Sequence, residues 1–293
     1  MMNTADAATL HVSYDRQEQE IPLYQENKLV TLAGYSLDFS HAINDLWSVS
    51  VYGQRLDITA KQTTPLLAIN AKQRGYSANV NYQIDAYTLA LTYQVSDFTL
   101  TNKEQLDLSQ LAQREQFNYF EDIRSQAIEV SLSKDIDFEH YWLTWDVGVV
   151  NVEQQAKYVG KLVAQRANNH YFFSDITEQN SESWLLSTRL SCATLWTWQA
   201  LSFVPMLQVS VNRVIAGDDV YLFNSAYGTS RSGSVRRSTD QLQQPLTGDN
   251  ALSVGASLTT LITANFYIDV NVSRFFAQST ATNLYAVGFG WEF

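Results

Sequence analysis

The last nine residues constrain the fold of this chain more than any other stretch. Tyr285 to Phe293 reads Tyr-Ala-Val-Gly-Phe-Gly-Trp-Glu-Phe, with a large side chain at every second position. Alternate residues of a β-strand point to opposite faces. One face therefore carries only large apolar side chains, those of Tyr285, Val287, Phe289, Trp291 and Phe293. A water-soluble fold would have to bury this face under a second layer, whereas a closed barrel in a bilayer exposes it to lipid.

The same alternation recurs along the chain and predicts about twelve strands. They lie near residues 9–15, 30–39, 46–54, 76–84, 87–95, 126–132, 143–149, 184–190, 201–211, 252–258, 266–272 and 285–293. One face of each strand is apolar, and the other consists mainly of Ser, Thr, Asn, Gln and Gly. Two such faces are typical of a transmembrane barrel, with lipid outside and a polar interior. A large soluble sandwich is the alternative, but it needs a second apolar face that these segments lack.

The connections between these strands alternate in length. Short ones lie near residues 40–45, 85, 133–140, 194–199 and 260–263, and those between them are mostly long, the longest running from Ser225 to Asn250. Outer-membrane barrels have short periplasmic turns and longer outer loops. We therefore predict one all-β domain over residues 1–293, a transmembrane antiparallel up-and-down barrel with both termini periplasmic. Residues 1–7 form a short N-terminal extension, and Pro205 predicts a bulge in its strand.

Composition supports this interpretation and excludes several others. Charged residues make up 17% of the chain, below the roughly 25% of average soluble domains. No apolar run is long enough for a membrane-spanning helix. The net charge of -11 argues against a nucleic-acid partner, and the single Cys192 cannot form an internal disulfide. No metal-ligand spacing or phosphate-binding glycine loop occurs, so no cofactor is expected. The first residues lack a signal peptide, so we expect a start codon to have replaced an export signal.

The terminal segment resembles the assembly signal of bacterial outer-membrane barrels. Phe293 is the terminal aromatic residue, Trp291 stands two residues before it, and Gly288 occupies a position that favours glycine. In length and strand count the whole chain is similar to the translocator barrel of autotransporters and to relatives without a passenger. The resemblance implies a Gram-negative outer membrane, contact with its lipid and lipopolysaccharide, and help from the barrel assembly machinery. No passenger or lumen-threading helix is expected, because few residues precede the first strand. Any further protein partner is unknown.

Four charged residues are predicted to point into the lumen. Glu129, Asp146, Arg189 and Asp269 each fall about five residues from a short turn, which predicts a similar height for all four. Arg189 should reach Asp146 and Glu129 from neighbouring strands. The group is either an ion-pair network between the walls or a constriction that favours cations. The inward residues Ala286, Gly288 and Gly290 should leave a smooth, open strip of lumen wall.

Enzymatic activity is not expected, although some outer-membrane barrels are phospholipases with a Ser-His-Asn set or proteases with Asp and His at the rim. His11 lies on an inward face, His41 and His140 lie in short turns, and His170 lies in a long loop. Local spacing fixes no serine beside His170. A lipid-active hydrolase is therefore only a third hypothesis.

Two other hypotheses are favoured over a hydrolase. The first is a passive narrow channel, or a structural or surface-recognition barrel, with a polar and mildly acidic lumen. The second is an autotransporter-like translocator or a scaffold for a separate partner. A basic island in the longest loop, Arg231, Arg236 and Arg237, either contacts lipopolysaccharide phosphates or belongs to a mobile loop.

Overall fold

The alternating segments all form strands in the computed structural model of the chain. It describes residues 8–22, 27–58, 63–64, 67–108, 113–166, 169–199, 201–217, 220–222, 226–229, 235–238, 244–246, 251–276 and 281–293. Twelve long strands dominate the fold. They are β1 (Ala8–Pro22), β2 (Asn27–Ala42), β3 (Trp47–Ile58), β4 (Leu67–Ile84), β5 (Tyr87–Leu108), β6 (Gln113–Asp137), β7 (Tyr141–Arg166), β8 (Asn169–Thr194), β9 (Leu201–Gly217), β10 (Ala251–Leu261), β11 (Phe266–Phe276) and β12 (Ala281–Glu292). No helix in the described part of the chain is long and apolar enough to cross a membrane.

These strands close into a barrel. Each pairs antiparallel with its sequence neighbours, and β12 pairs with β1 from Glu292 opposite Thr9 to Asn283 opposite Glu18. At the end of this seam Ala8 and Phe293 exchange two backbone hydrogen bonds of 2.9 Å. The predicted all-β, twelve-stranded, up-and-down barrel is therefore confirmed. The seam ends at the same end of the barrel as the short turns, and the assignment of that end to the periplasm stays a prediction.

The two faces of each strand are those that alternation predicts. On β1, Leu10 and Tyr14 are exposed outside, whereas His11, Ser13 and Asp15 are buried inside. The terminal stripe likewise lies on the outer surface, where Val287, Phe289 and Trp291 are exposed. In water this much exposed apolar surface would drive association, but in a bilayer it faces hydrocarbon.

Four strands are much longer than predicted. β5, β6, β7 and β8 have 22, 25, 26 and 26 residues, against about 9–11 needed to cross a bilayer. The stretches expected to be long loops before Gln126 and before Trp184 are instead mostly paired strand. Beyond the membrane both faces of a sheet meet water, so apolar alternation stops while backbone pairing continues. Lys157 and Glu178, both exposed, illustrate this projecting sheet.

One local prediction was wrong. β9 pairs with β10 in one uninterrupted register through Pro205, so no bulge occurs there, and the irregularity lies between Val214 and Ala216. Pro205 is tolerated because the pairing of β9 with β8 begins one residue later, at Met206. On that side of the strand, therefore, no backbone N–H is required from the proline. The predicted short connection near residues 194–199 is present, and within it Trp196–Trp198 already pairs with the start of β9.

The connection between β9 and β10 contains short strands of its own. Val220–Leu222 pairs with Gln244–Leu246, and Ala226–Thr229 pairs with Val235–Ser238. Val220–Leu222 contacts β7 and β8, whereas Val235–Ser238 contacts β2. Because β2 and β8 lie six strands apart in a ring of twelve, described parts of this connection reach opposite walls of the barrel.

Candidate functional site in the barrel lumen

The lumen has a polar middle zone, called here the polar waist. Its members are inward side chains on most strands: His11, Ser13, Asp15, Ser36, Gln54, Asn79, Thr92, Glu129, Asp146, Arg189 and Asp269. Several are hydrogen-bonded across strands; the Thr92 hydroxyl, for example, donates to Asn79 Oδ1 at 2.9 Å. Buried polar groups are costly without such bonds, so these contacts hold the wall together.

Three of the four predicted lumen charges lie together. Asp146 on β7 lies directly opposite Arg189 on β8. Glu129 reaches toward them from β6 across Gly148, where a Cβ would stand 3.0 Å from Glu129 Oε1. Both carboxylates attract the Arg189 guanidinium, whose residue is only 9% exposed. The group carries two negative charges for one positive charge.

The fourth predicted charge, Asp269, belongs to a different group. It lies on β11, three strands from Arg189, and accepts a hydrogen bond of 2.8 Å from His11 Nε2 on β1. This bond passes over Gly288 on β12, the strand between them, because a Cβ there would lie 2.8 Å from His11 Cε1 and 2.9 Å from Asp269 Oδ1. The pair therefore ties β11 to β1 across the closing strand.

The small residues of the terminal strand were expected to leave an open strip of lumen wall. They do not leave one. The His11–Asp269 pair covers Gly288, and the Tyr267 ring occupies the space that a Cβ on Gly290 would need. Tyr267 also stacks against His11, with ring centroids 6.1 Å apart. The small residues of the terminal strand thus admit large polar side chains from the strands on either side.

Two inward acids, Asp15 and Asp38, were not among the predicted lumen charges. Both are buried. Asp15 accepts hydrogen bonds from Ser13 Oγ at 2.6 Å and Gln54 Nε2 at 2.9 Å, and Ser13 also bonds Ser36. Alternation alone would have found these acids if every inward position had been scored for charge. Arg189 is the one lysine or arginine found on the inner wall where the structure describes side chains, so the waist is acidic.

An apolar zone, called here the apolar collar, lies on the long-connection side of the waist. One wall contributes Val30, Leu32, Leu56, Ile69, Ala71, Phe98 and Leu100. The facing wall contributes Val152, Leu185, Ala251 and Phe275. Leu32, Leu56, Leu185 and Phe275 are 0% exposed. Apolar side chains therefore line the lumen at a level where the sequence was expected to be polar, and water does not reach them.

The other predicted residues occupy separate places. Arg236 and Arg237 lie in the short strand Val235–Ser238, whereas Arg231 falls outside the described residues. His41 lies in β2 rather than in a turn, His140 is exposed in a short turn, and His170 lies in β8 rather than in a loop. No group of three or more metal-binding side chains occurs among the described residues.

No protein-family model and no curated protein sequence matches the chain. Solved structures do match its fold. The translocator domain of the autotransporter NalP from Neisseria meningitidis is 8% identical, with 98% of this chain and 88% of that chain covered and a TM-score of 0.63. The β domain of the Bordetella autotransporter BrkA is 10% identical, with 99% and 100% covered and a TM-score of 0.55.

The fold is that of an outer-membrane β-barrel. The Pseudomonas putida toluene transporter TodX is also similar, at 9% identity, with 99% of this chain and 92% of that chain covered. Its TM-score of 0.48 is too low to support an inference about this chain. At such identities the likeness extends to the fold alone. The outward face fits a membrane-spanning barrel, because its apolar side chains, such as Leu37, Val51 and Val270, are exposed.

Proposed function

We propose that this outer-membrane barrel is a passive narrow channel whose lumen favours small cations. The observation that carries the proposal is the acidic polar waist. Asp15, Asp38, Glu129, Asp146 and Asp269 point inward, and Arg189 is the cation that opposes them among the described inward residues. Rings of carboxylates are a usual basis of cation preference in pores.

The expected size of the preference follows from Coulomb's law. A monovalent cation about 6 Å from one carboxylate gains about 3 kcal/mol at an effective dielectric constant of about 20. Arg189 offsets part of this field, and salt screens much of the rest. A net preference of about 1.4 kcal/mol would still give roughly ten-fold selectivity.

The apolar collar supports a narrow channel and argues against a wide one. Hydrophobic constrictions oppose ions because water retreats from them. The collar residues Leu32 and Leu56 are fully buried. We therefore expect low conductance with frequent closures, rather than the steady current of a wide porin.

Single-channel recording in planar bilayers tests the proposal. In a potassium chloride gradient, Glu129→Gln/Asp146→Asn should lower the cation-to-anion permeability ratio about ten-fold. The double variant leaves Arg189 buried without its two carboxylates, which could itself repel cations. A triple variant that adds Arg189→Gln controls for this effect. Asp97→Asn is the matched control, since it removes an acid from the outer surface and should leave the ratio unchanged. Unaltered selectivity in the double variant, or no conductance in any protein, would remove the channel proposal.

Translocation, or scaffolding of a separate partner, is the second candidate. It is favoured by the likeness to the NalP translocator domain over 98% of this chain. A chain passing through the lumen would touch inward residues such as Thr92. A photo-crosslinker at Thr92 should then trap a polypeptide in cells, whereas one at the outward Leu91 should not. A structural or surface-recognition role would produce neither conductance nor a trapped chain.

The remaining expectations stay predictions. The exposure of Trp291 and Phe293 at the end of β12 supports the prediction that the barrel assembly machinery reads this segment. The expectation that the chain is not an enzyme also stays a prediction.

A further inference from the structure

Three arginines lie in one hydrogen-bonded row on the outer surface of the barrel. Arg55 on β3 is directly opposite Arg74 on β4, Arg74 is opposite Asp97 on β5, and Asp97 is opposite Arg124 on β6. All three arginine side chains are exposed. The row therefore combines three positive charges with one negative charge over four adjacent strands.

The row lies at the edge of the lipid-facing surface. Tyr35, 68% exposed, is the direct neighbour of Arg55, and Tyr76 is the next outward residue below Arg74. Further toward the short turns, the outward residues Leu37, Val51 and Val80 are apolar and exposed. Tyrosine rings concentrate at the level of lipid headgroups. The arginines thus lie where headgroup phosphates are found.

Arg55 and Arg74 face each other as like charges. Such a pair repels unless an anion lies between its members. Arg55 Nε donates a hydrogen bond of 3.0 Å to Asp57 Oδ2, and no described residue bonds the other guanidinium nitrogens of Arg55. Arg124 lies 3.8 Å from Asp122, which makes a long ion pair. Within the part of the chain that the structure describes, no ion pair joins Arg74 to Asp97.

We propose that Arg55 and Arg74, assisted by Arg124, bind the phosphates of lipid A in the outer leaflet. A guanidinium donates two parallel hydrogen bonds to a phosphate, and two guanidinium groups side by side match its double negative charge. The neighbouring tyrosines contact the acyl chains and sugar. This site lies on the barrel wall, apart from the basic island of the longest loop, and it is independent of ion passage through the lumen. It requires the short turns to lie in the periplasm.

Native mass spectrometry of the detergent-solubilised barrel with added lipid A tests the site. Bisphosphorylated lipid A should bind about ten-fold more tightly to the wild type than to Arg55→Gln/Arg74→Gln. Arg55→Lys/Arg74→Lys should fall between them, because lysine keeps the charge and loses the bidentate geometry. Arg213→Gln is the matched control. It removes an exposed outward arginine on β9, at the opposite wall, and should bind like the wild type.

Two further lipids identify the chemistry. Lipid A without its phosphates should bind the wild type weakly, with about the affinity of bisphosphorylated lipid A for Arg55→Gln/Arg74→Gln. Phosphatidylglycerol should bind the wild type more weakly than bisphosphorylated lipid A does. Equal binding of lipid A to the wild type and the double variant would overturn the proposal. So would an equal loss in Arg213→Gln, or phosphatidylglycerol binding as tight as that of lipid A. Circular dichroism of each variant confirms that the barrel is folded, so that any loss reports on the site.

Discussion

Substitution of Gly288 by alanine tests whether the closing strand depends on the His11–Asp269 pair. The new Cβ would lie 2.8 Å from His11 Cε1 and 2.9 Å from Asp269 Oδ1, whereas carbon contacts are comfortable at about 3.5–4.0 Å. The two side chains must therefore separate, and their 2.8 Å hydrogen bond breaks. Overpacking costs about 1–3 kcal/mol, and loss of a charged hydrogen bond about 1.5–3 kcal/mol. We expect Gly288→Ala to lower the free energy of unfolding by about 2–4 kcal/mol.

A double-mutant cycle isolates this interaction. His11→Ala removes the imidazole, so Gly288→Ala should cost about 1 kcal/mol in that background, a coupling of about 1–3 kcal/mol. Urea titration in phospholipid vesicles, followed by tryptophan fluorescence, measures each variant. Gly255→Ala is the control, because its nearest neighbour would be Ser273 Cβ at 3.4 Å and little should change. Additive effects of Gly288→Ala and His11→Ala would refute the reasoning.

Three further predictions concern other parts of the barrel. In the projecting sheet, the hydrogen bond and charge of Lys157 hold the pKa of Glu178 below its ordinary value of 4.5. The contact therefore stabilises the fold above about pH 4.5, and this stabilisation is lost as the pH falls through the lowered pKa of Glu178. Lys157→Gln should raise the pKa of Glu178 in a carboxyl ¹³C titration. An unchanged titration midpoint would contradict this. Cys192, exposed on the outer face of β8, should resist a charged maleimide in vesicles and react after unfolding; rapid labelling of the folded protein would count against lipid contact. Leu56→Ser in the apolar collar should increase single-channel conductance, and no increase would show that the collar does not limit passage.

Strand number and facing were readable from the sequence because each strand crosses between two different solvents. The outward Leu10 and Tyr14 face lipid, and the inward Ser13 and Asp15 contact polar partners. Apolar and polar residues therefore alternate along the strand with a period of two. The same reasoning identified the closing strand from its aromatic stripe. It also located Asp146 opposite Arg189, since both positions could be counted from a short turn.

That reasoning failed where the solvents no longer differ. In the projecting parts of β5 to β8 both faces lie outside the membrane, so polar sequence was mistaken for loop. Inside the lumen, alternation distinguishes inward from outward and says nothing about height. The apolar collar, with Leu32 and Phe275 buried above the waist, was missed for that reason.

The sequence by itself determined a closed barrel with an apolar outer face and a polar, acidic waist, because local periodicity encodes which solvent each residue meets. Only the tertiary structure decided which inward residues touch. His11 and Asp269 are 258 positions apart, and they meet because closure of the barrel brings β1 next to β12 and the register puts Gly288 between them. Register is a long-range property of the paired strands, so no single segment of the chain contains it.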